Sequence, residues 1–380
     1  MKKIVVISLL VIITILFCGP IKRGILSILI LADSVRPPEK ALMATFTPDP
    51  SLKRVSVTSR GRKLRADLYG PKGKGPHPPL LLVHGADPAG KDQAQLALLA
   101  ENLARAGFLV LVPDLKGLKT FRPRLSDAED ILQSYRYLTK LKQAGPGGCM
   151  MGFSYGVGPM LLAAADKRVR DTVSVVVSFG GYYDLRQVLL FSMTGHYEYG
   201  GKSGYLRPVE PFRWMILYKN LDILRSRSDQ DLLRRIIEKR NRYELNDVAA
   251  LAGQLGPEGK AVYAFLVNSR EDRFSALYER LPDAVRKYVF RMSPARAVSY
   301  IKAYWIIAHG KEDYAIPYTE SLRLANAVGD KNRVHLALLP QFTHVETAEQ
   351  PQGSVYQRTI LGGWRLYSVI YDLLKRSSKQ

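Results

Sequence analysis

Four short apolar runs, at residues 80–83, 108–112, 148–153 and 173–179, constrain this chain more than any other feature. Each is brief and poor in charge, the pattern of a strand buried on both faces. Helical segments lie between them. Asp92 is placed to cap a helix running to Ala106, with apolar residues at Leu96, Leu99 and Leu103 and a stop at Gly107. Ser126 and Glu129 have capping-box spacing for a helix over 127–142. Residues 155–165 read as a third helix. Strand and helix in regular succession require parallel pairing, and so a doubly wound, mostly parallel α/β sheet with helices on both faces.

Two strand candidates, 55–58 and 64–69, precede this series, followed by a Gly/Pro-rich turn at 71–79. The rhythm stops near Asp184. Residues 186–300 are rich in Tyr, Arg and Leu and read mainly as helices, at 221–241, 247–255 and 275–291 with a break at Pro282. It resumes with a strand at 304–308, a helix at 319–328, a strand at 334–339 and an amphipathic helix over 355–375. The expected organisation is one sheet domain, residues 55–185 and 301–380, carrying a helical cap insertion at 186–300. A chain of 380 residues is long enough for both.

The N-terminus has a different character. Met1-Lys2-Lys3 is followed by an uncharged apolar run from Ile4 to Phe17, then Gly19-Pro20, Lys22-Arg23 and a second apolar run over 25–32. A basic start before an apolar core matches an export signal. Residues 1–32 are expected to be a signal anchor or signal peptide. The protein would then be membrane-anchored or exported, at the inner membrane or periplasm in a bacterium. Residues 33–54, with Arg36-Pro37-Pro38 and Thr47-Pro48-Asp49-Pro50, read as a linker. Cys18 and Cys149 are read as unpaired. The net charge of +22 favours anionic surfaces, phospholipid headgroups among them. The basic residues are dispersed, with no zinc-finger spacing and no RNA-binding signature, so a nucleic-acid partner is not expected.

The chemistry gathers at strand ends. Gly152-Phe153-Ser154-Tyr155-Gly156 falls between an apolar strand and a helix. Glycines two before and two after a serine allow a tight strand-to-helix turn that exposes a nucleophile. A serine hydroxyl also needs a base, a carboxylate to orient it and donors for an oxyanion. His84-Gly85-Ala86 follows the strand at 80–83, and the main-chain N–H groups of Ala86 and Tyr155 are the expected oxyanion donors. His84 is expected to bond loop backbone. Asp313, in His309-Gly310-Lys311-Glu312-Asp313, is the expected acid, with Glu312 and Asp184 as rivals. His344 follows the last strand and is the expected base. There is no His-Glu-x-x-His, no Cys/His cluster and no phosphate-binding Gly-x-x-x-x-Gly-Lys-Ser/Thr loop, so neither metal nor cofactor is expected.

These motifs, in the order Ser154, Asp313, His344, resemble those of the α/β-hydrolases. The chain is most similar to the dienelactone-hydrolase and peptidase-like branch. Residues 108–114, Phe-Leu-Val-Leu-Val-Pro-Asp, resemble that branch's strand before the elbow, and residues 179–184, Phe-Gly-Gly-Tyr-Tyr-Asp, its strand entering the cap. The resemblance covers about residues 55–184 and 300–375 and implies an eight-stranded sheet with those triad roles. Ser154 stands where dienelactone hydrolases carry cysteine, and the insertion matches no familiar cap. The expected activity is cleavage of a small-molecule or lipid ester through an acyl-enzyme. A peptidase, an acyltransferase or a non-catalytic binding protein on the same fold are the alternatives.

Overall fold

The computed structural model describes residues 19–340 and 361–377, apart from the side chains of residues 210–212. Ten strands are present among them: β1 (Ser51–Ser59), β2 (Arg62–Gly70), β3 (Pro79–Val83), β4 (Leu109–Pro113), β5 (Cys149–Phe153), β6 (Val175–Phe179), β7 (His196–Tyr199), β8 (Lys202–Tyr205), β9 (Tyr304–Gly310) and β10 (Val334–Leu339). Eight form one sheet in the order β1-β2-β4-β3-β5-β6-β9-β10. β2 is antiparallel to both of its neighbours, and all later pairs are parallel.

The helices of the sheet domain are α1 (Gly19–Ser34), α2 (Met43–Phe46), α3 (Ala94–Arg105), α4 (Lys116–Lys119), α5 (Leu125–Thr139) and α6 (Val157–Ala164). The insertion supplies α7 (Leu185–Thr194), α8 (Glu210–Asn220), α9 (Arg227–Asn241), α10 (Val248–Gly253), α11 (Pro257–Leu266), α12 (Glu271–Glu279) and α13 (Asp283–Met292). The last two are α14 (Thr319–Ala327) and α15 (Gly362–Ser377).

The central strands are apolar throughout because both faces are covered. Leu80 and Leu82 join a core with Leu103 of α3 and Val369 and Leu373 of α15. Leu81 and Val83 point the other way, into a core with Ile131 of α5 and Met160 of α6. The insertion extends this second core through buried residues such as Trp214, Leu233 and Ile236.

Several local expectations are corrected. Gln93, not Asp92, caps α3, its side chain accepting from Leu96 N–H at 2.7 Å; Asp92 pairs with Lys91 instead. At α5 the reaching carboxylate is Asp127, which accepts from Arg124 N–H at 2.7 Å and Gly117 N–H at 3.2 Å. Burial pushes Asp127 up to about 6, against those hydrogen bonds. Glu129 bonds Gln133 and Arg168.

The N-terminal segments also differ from expectation. The apolar run at 25–32 belongs to α1, which packs on α15, α3 and α2, with Ser27, Ile30 and Asp33 buried. Residues 33–54 are tied down rather than a free linker. Asp33 accepts from Leu42 N–H at 2.6 Å, Met43 N–H at 3.1 Å and the Asn102 amide at 3.0 Å. The first strand starts at Ser51, inside that segment. Among the described residues, no helix is long and apolar enough to cross a membrane. Residues 1–18, including Cys18, lie outside the described residues. Cys149 is buried, and its thiol is pushed up to about 12 by that burial.

The insertion is not wholly helical. β7 and β8 form a hairpin around Gly200 and Gly201, both at positive φ (59° and 75°) as a two-residue hairpin turn demands. The hairpin packs on α14: Tyr197 lies 5.4 Å from Tyr318, and the Arg323 guanidinium lies 4.5 Å over Tyr199. The two ends of the insertion are joined to each other. Leu185 N–H donates to Ser293 Oγ at 2.9 Å, and Ala295 N–H to the Tyr183 carbonyl at 3.0 Å.

Candidate active site

Strand register carries the described candidates, Ala86, Ser154, Tyr155 and Asp313, to one edge. Val83, Gly152, Ser178, Ile307 and Leu336 form one row across β3, β5, β6, β9 and β10. The loops that follow β3, β5 and β9 hold Ala86, Ser154 and Asp313, at the carboxyl ends of parallel strands. The chain passes leftward from β3 to β4 and rightward from β5 to β6, so the first two loops flank the topological switch point, where ligands bind in open α/β sheets.

Ser154 has φ 50°, one of few non-glycine residues in the left-handed region. Such a conformation costs about 1–3 kcal/mol and persists only where its surroundings impose it. Here β5 ends at Phe153, a 3₁₀ turn spans Ser154–Gly156, and α6 follows at once. The flanking glycines explain how the turn closes. A β-carbon on Gly152 would come within 2.9 Å of Met160 Sδ, and one on Gly156 would overlap the His84 carbonyl oxygen. Ser154 is 4% exposed.

The β3 loop lies directly against this elbow. A β-carbon on Gly85 would be 3.3 Å from Ser154 Cβ. The buried His84 ring holds the loop in place, as expected. Its Nε2 accepts from Leu115 N–H at 3.1 Å, so Nδ1 carries the proton and donates to the Gly85 carbonyl at 2.7 Å. Burial lowers the pKa of the ring, which keeps it neutral. Ala86 and Tyr155, the expected oxyanion residues, both border the cavity described below.

Asp313 is 1% exposed. Its Oδ1 accepts from Ala315 N–H at 2.8 Å and Ile316 N–H at 2.9 Å. Its Oδ2 is 3.3 Å from His309 Nε2. That nitrogen is also 2.9 Å from the Ile316 carbonyl, which can only accept, so it carries the proton, and His309 Nδ1 accepts from Ser321 Oγ at 2.7 Å. His309 thus positions the carboxylate. Asp313 also lies close enough to Tyr155 for its charge, after burial, to raise that phenol. The rivals are placed otherwise. Glu312 is only partly buried. Asp184 caps α7, accepting from Arg186 N–H at 2.9 Å. Asp114, directly after β4, is bridged to Arg65 and Lys119, both at 3.0 Å. His344 lies outside the described residues.

Between the sheet edge and the insertion is an apolar cavity of about 140 Å³. Ala86 and Tyr155 border it on the sheet side; Leu189, Ile216, Val262 and Tyr288 line it from α7, α8, α11 and α13. The cavity therefore adjoins the serine elbow through Tyr155 and Ala86, while Ser154 itself is not part of its lining.

Two features escaped sequence reading. Glu320, fully buried on α14, accepts from Tyr183 N–H at 3.0 Å and Asp184 N–H at 2.7 Å, pinning the point where the chain enters the insertion to the helix beyond Asp313. Burial pushes it up to about 7, against those hydrogen bonds and the nearby Arg323. The second is a Ser368-His335-Asp372 arrangement far along the sheet. Its Ser368 Oγ···His335 Nε2 and His335 Nδ1···Asp372 Oδ2 distances are both 3.2 Å. Ser368, however, lies inside α15 and donates to the Arg365 carbonyl at 2.7 Å. The helix main chain is satisfied there and offers no N–H for an oxyanion. Among the described residues, no group of three or more His, Cys, Asp or Glu is placed to hold a metal ion.

No protein-family model matches the chain, and no curated protein matches it. Among solved structures it is similar to a Mycobacterium tuberculosis puromycin-hydrolyzing peptidase, with TM-score 0.50 and 16% identity over 87% of this chain and 39% of that one. The chain has the α/β-hydrolase fold. It is also similar to the Pyrococcus horikoshii acylaminoacyl peptidase (TM-score 0.49, 16% identity, 87% of this chain and 42% of that one). Est1E from Butyrivibrio proteoclasticus shares 13% identity at TM-score 0.47, over 86% of this chain and 99% of its own. The chain thus spans only about two fifths of either peptidase. At such identities the likeness concerns the α/β-hydrolase fold and not the substrate.

Proposed function

We propose that this α/β-hydrolase-fold chain is a serine hydrolase that cleaves an ester through an acyl-enzyme on Ser154. The observation that carries the reading is the left-handed φ of Ser154, in a turn closed on both sides by glycine and opening beside an apolar cavity. A strained, buried serine at a strand-to-helix turn has no packing role that glycine would not fill at lower cost.

In this reading His344 removes the Ser154 proton and Asp313 orients the imidazole and stabilises its charged form. The main-chain N–H groups of Ala86 and Tyr155 receive the oxyanion, aided by the N-terminus of α6. Water activated by His344 then releases the acid. The acyl group occupies the cavity, whose apolar lining favours an aliphatic or aromatic acid over a charged one. A membrane or exported location belongs to the same proposal; Lys2-Lys3 and the uncharged run from Ile4 to Phe17 support it.

The test is labelling by a fluorophosphonate probe, followed by a profile of ester and peptide substrates. Wild type is expected to label and Ser154→Ala not to. Equal labelling of the two, or none in wild type, would remove the reading. Faster turnover of peptide amides than of matched esters would reassign the substrate class while keeping the nucleophile.

A further inference from the structure

Helix α1 has two unlike faces. Ser27, Ile30 and Asp33 are buried against the domain, whereas Ile21, Ile25 and Ile28 are 40%, 44% and 58% exposed. Positions four and three apart form one stripe along a helix. Beside it, α15 carries a ladder of rings. Trp364 stacks on Tyr367 at 5.2 Å and Tyr367 on Tyr371 at 5.9 Å. Trp364 is 64% exposed. Stripe and ladder line a single open groove. Scattered apolar residues on a surface are ordinary, but three isoleucines and a tryptophan grouped across two helices are not.

The groove is edged with cations. Lys375 lines the groove, the Arg23 guanidinium lies 5.9 Å over Tyr371, and Lys22, next in sequence to Ile21, is exposed. Among the described residues, the one carboxylate lining it, Asp372, is already engaged by His335 at 3.2 Å and Arg376 at 3.4 Å. A second copy of this face would therefore bring cation against cation. Aliphatic side chains, interfacial Trp and Tyr rings, and flanking Lys and Arg are what a bilayer surface of anionic lipid accepts. The net charge of +22 attracts the molecule to such a surface. The uncharged run from Ile4 to Phe17 also joins the chain at Gly19, the first residue of α1.

We propose that the α1–α15 face docks on an anionic phospholipid bilayer, with Ile21, Ile25, Ile28 and Trp364 entering the headgroup region and the basic residues meeting lipid phosphates. The proposal stands apart from the hydrolase reading, since the groove and the Ser154 elbow share no residue.

The tryptophans make it testable in the full chain. Trp214 and Trp305 are 2% and 0% exposed, so Trp364 is the reporter among the three. On vesicles of phosphatidylcholine and phosphatidylglycerol, its emission is expected to shift to the blue and to be quenched by brominated acyl chains. Trp364→Phe should lose that response. The double variant Ile25→Glu/Ile28→Glu should partition about tenfold less, and vesicles of phosphatidylcholine alone should bind less than the anionic ones. Vesicle-bound protein whose Trp364 is not quenched would overturn the proposal, as would unchanged partitioning of the double variant or absence of binding. A blue-shifted Trp364 in a lipid-free dimer would assign the face to a second copy instead.

Discussion

The main-chain oxygen of His84 occupies the place a β-carbon on Gly156 would take, so the loop after β3 and the turn after β5 approach each other too closely for a side chain at that glycine. That contact brings the His84-Gly85-Ala86 segment to the elbow. Gly156→Ala must push the two apart. The expected result is a loss of about 1–3 kcal/mol in stability, with slowed fluorophosphonate labelling of Ser154. Thermal melts and labelling rates on one preparation check both; a variant that labels at the wild-type rate would show that the close approach is unnecessary.

Removing the proposed nucleophile has a sharper signature. Ser154→Ala is expected to abolish covalent labelling and to lower kcat by about 10⁴–10⁶-fold, since members of such a constellation act as a unit. The φ of 50° is no easier for alanine, so the stability of the variant should stay close to wild type. A fold-wide collapse would point to a structural serine.

Asp313 and Glu312 are neighbours that should behave differently. Asp313 is buried and holds two N–H groups beside His309, whereas Glu312 is partly solvated. Asp313→Asn is expected to lower kcat by about 10⁴-fold, through a misoriented base. Glu312→Gln should change kcat little. Steady-state kinetics of the two variants decide the triad acid, and the reverse order would transfer the role.

Glu320 predicts a pH dependence of stability. Its carboxyl, raised from about 4.5 to about 7 by burial, binds a proton more tightly folded than unfolded. Between those values the native state holds more protons, so stability falls as pH rises through that window and is fully present below it. Glu320→Gln keeps an oxygen acceptor for Tyr183 and Asp184. It should flatten that slope and raise stability at pH 8 by on the order of 2–3 kcal/mol. Melting curves from pH 4 to 8 measure it; parallel slopes in the two proteins would refute the assignment.

The cavity predicts acyl selectivity. Leu189→Trp fills space that the wild-type chain leaves open. It should reduce kcat/KM for octanoyl esters by about tenfold, the worth of roughly two buried methylenes, while sparing acetyl esters. A uniform loss across chain lengths would place the acyl group elsewhere.

Much of the site's framework was legible because it is local. Gly152-x-Ser154-x-Gly156 and the apolar runs around it lie within a few residues of one another, and the spacing alone called for a strand, a tight turn and a helix. The role of His84 as a loop clamp could be read from its position after β3. Helix caps were less legible: Asp92 and Gln93 are both competent acceptors, and only the geometry selects one. Glu320 had no sequence signal, since its partners Tyr183 and Asp184 are 137 and 136 residues away. The hairpin at Gly200-Gly201 did carry one, a glycine pair between short tyrosine-bearing segments, masked by the helical character of its surroundings.

By itself, the sequence determined the parallel sheet and the tight serine turn between β5 and α6, because residue type and short-range spacing dictate strands, turns and helices. Tertiary structure decided what those patterns are packed against. It laid the apolar residues of α1 partly on the domain and partly outward beside Trp364, and it fastened residues 33–54 through Asp33. It also closed a cavity over Ala86 and Tyr155 with helices that precede β9 by up to a hundred residues or more. Burial depends on which distant surfaces meet, and no local periodicity encodes that.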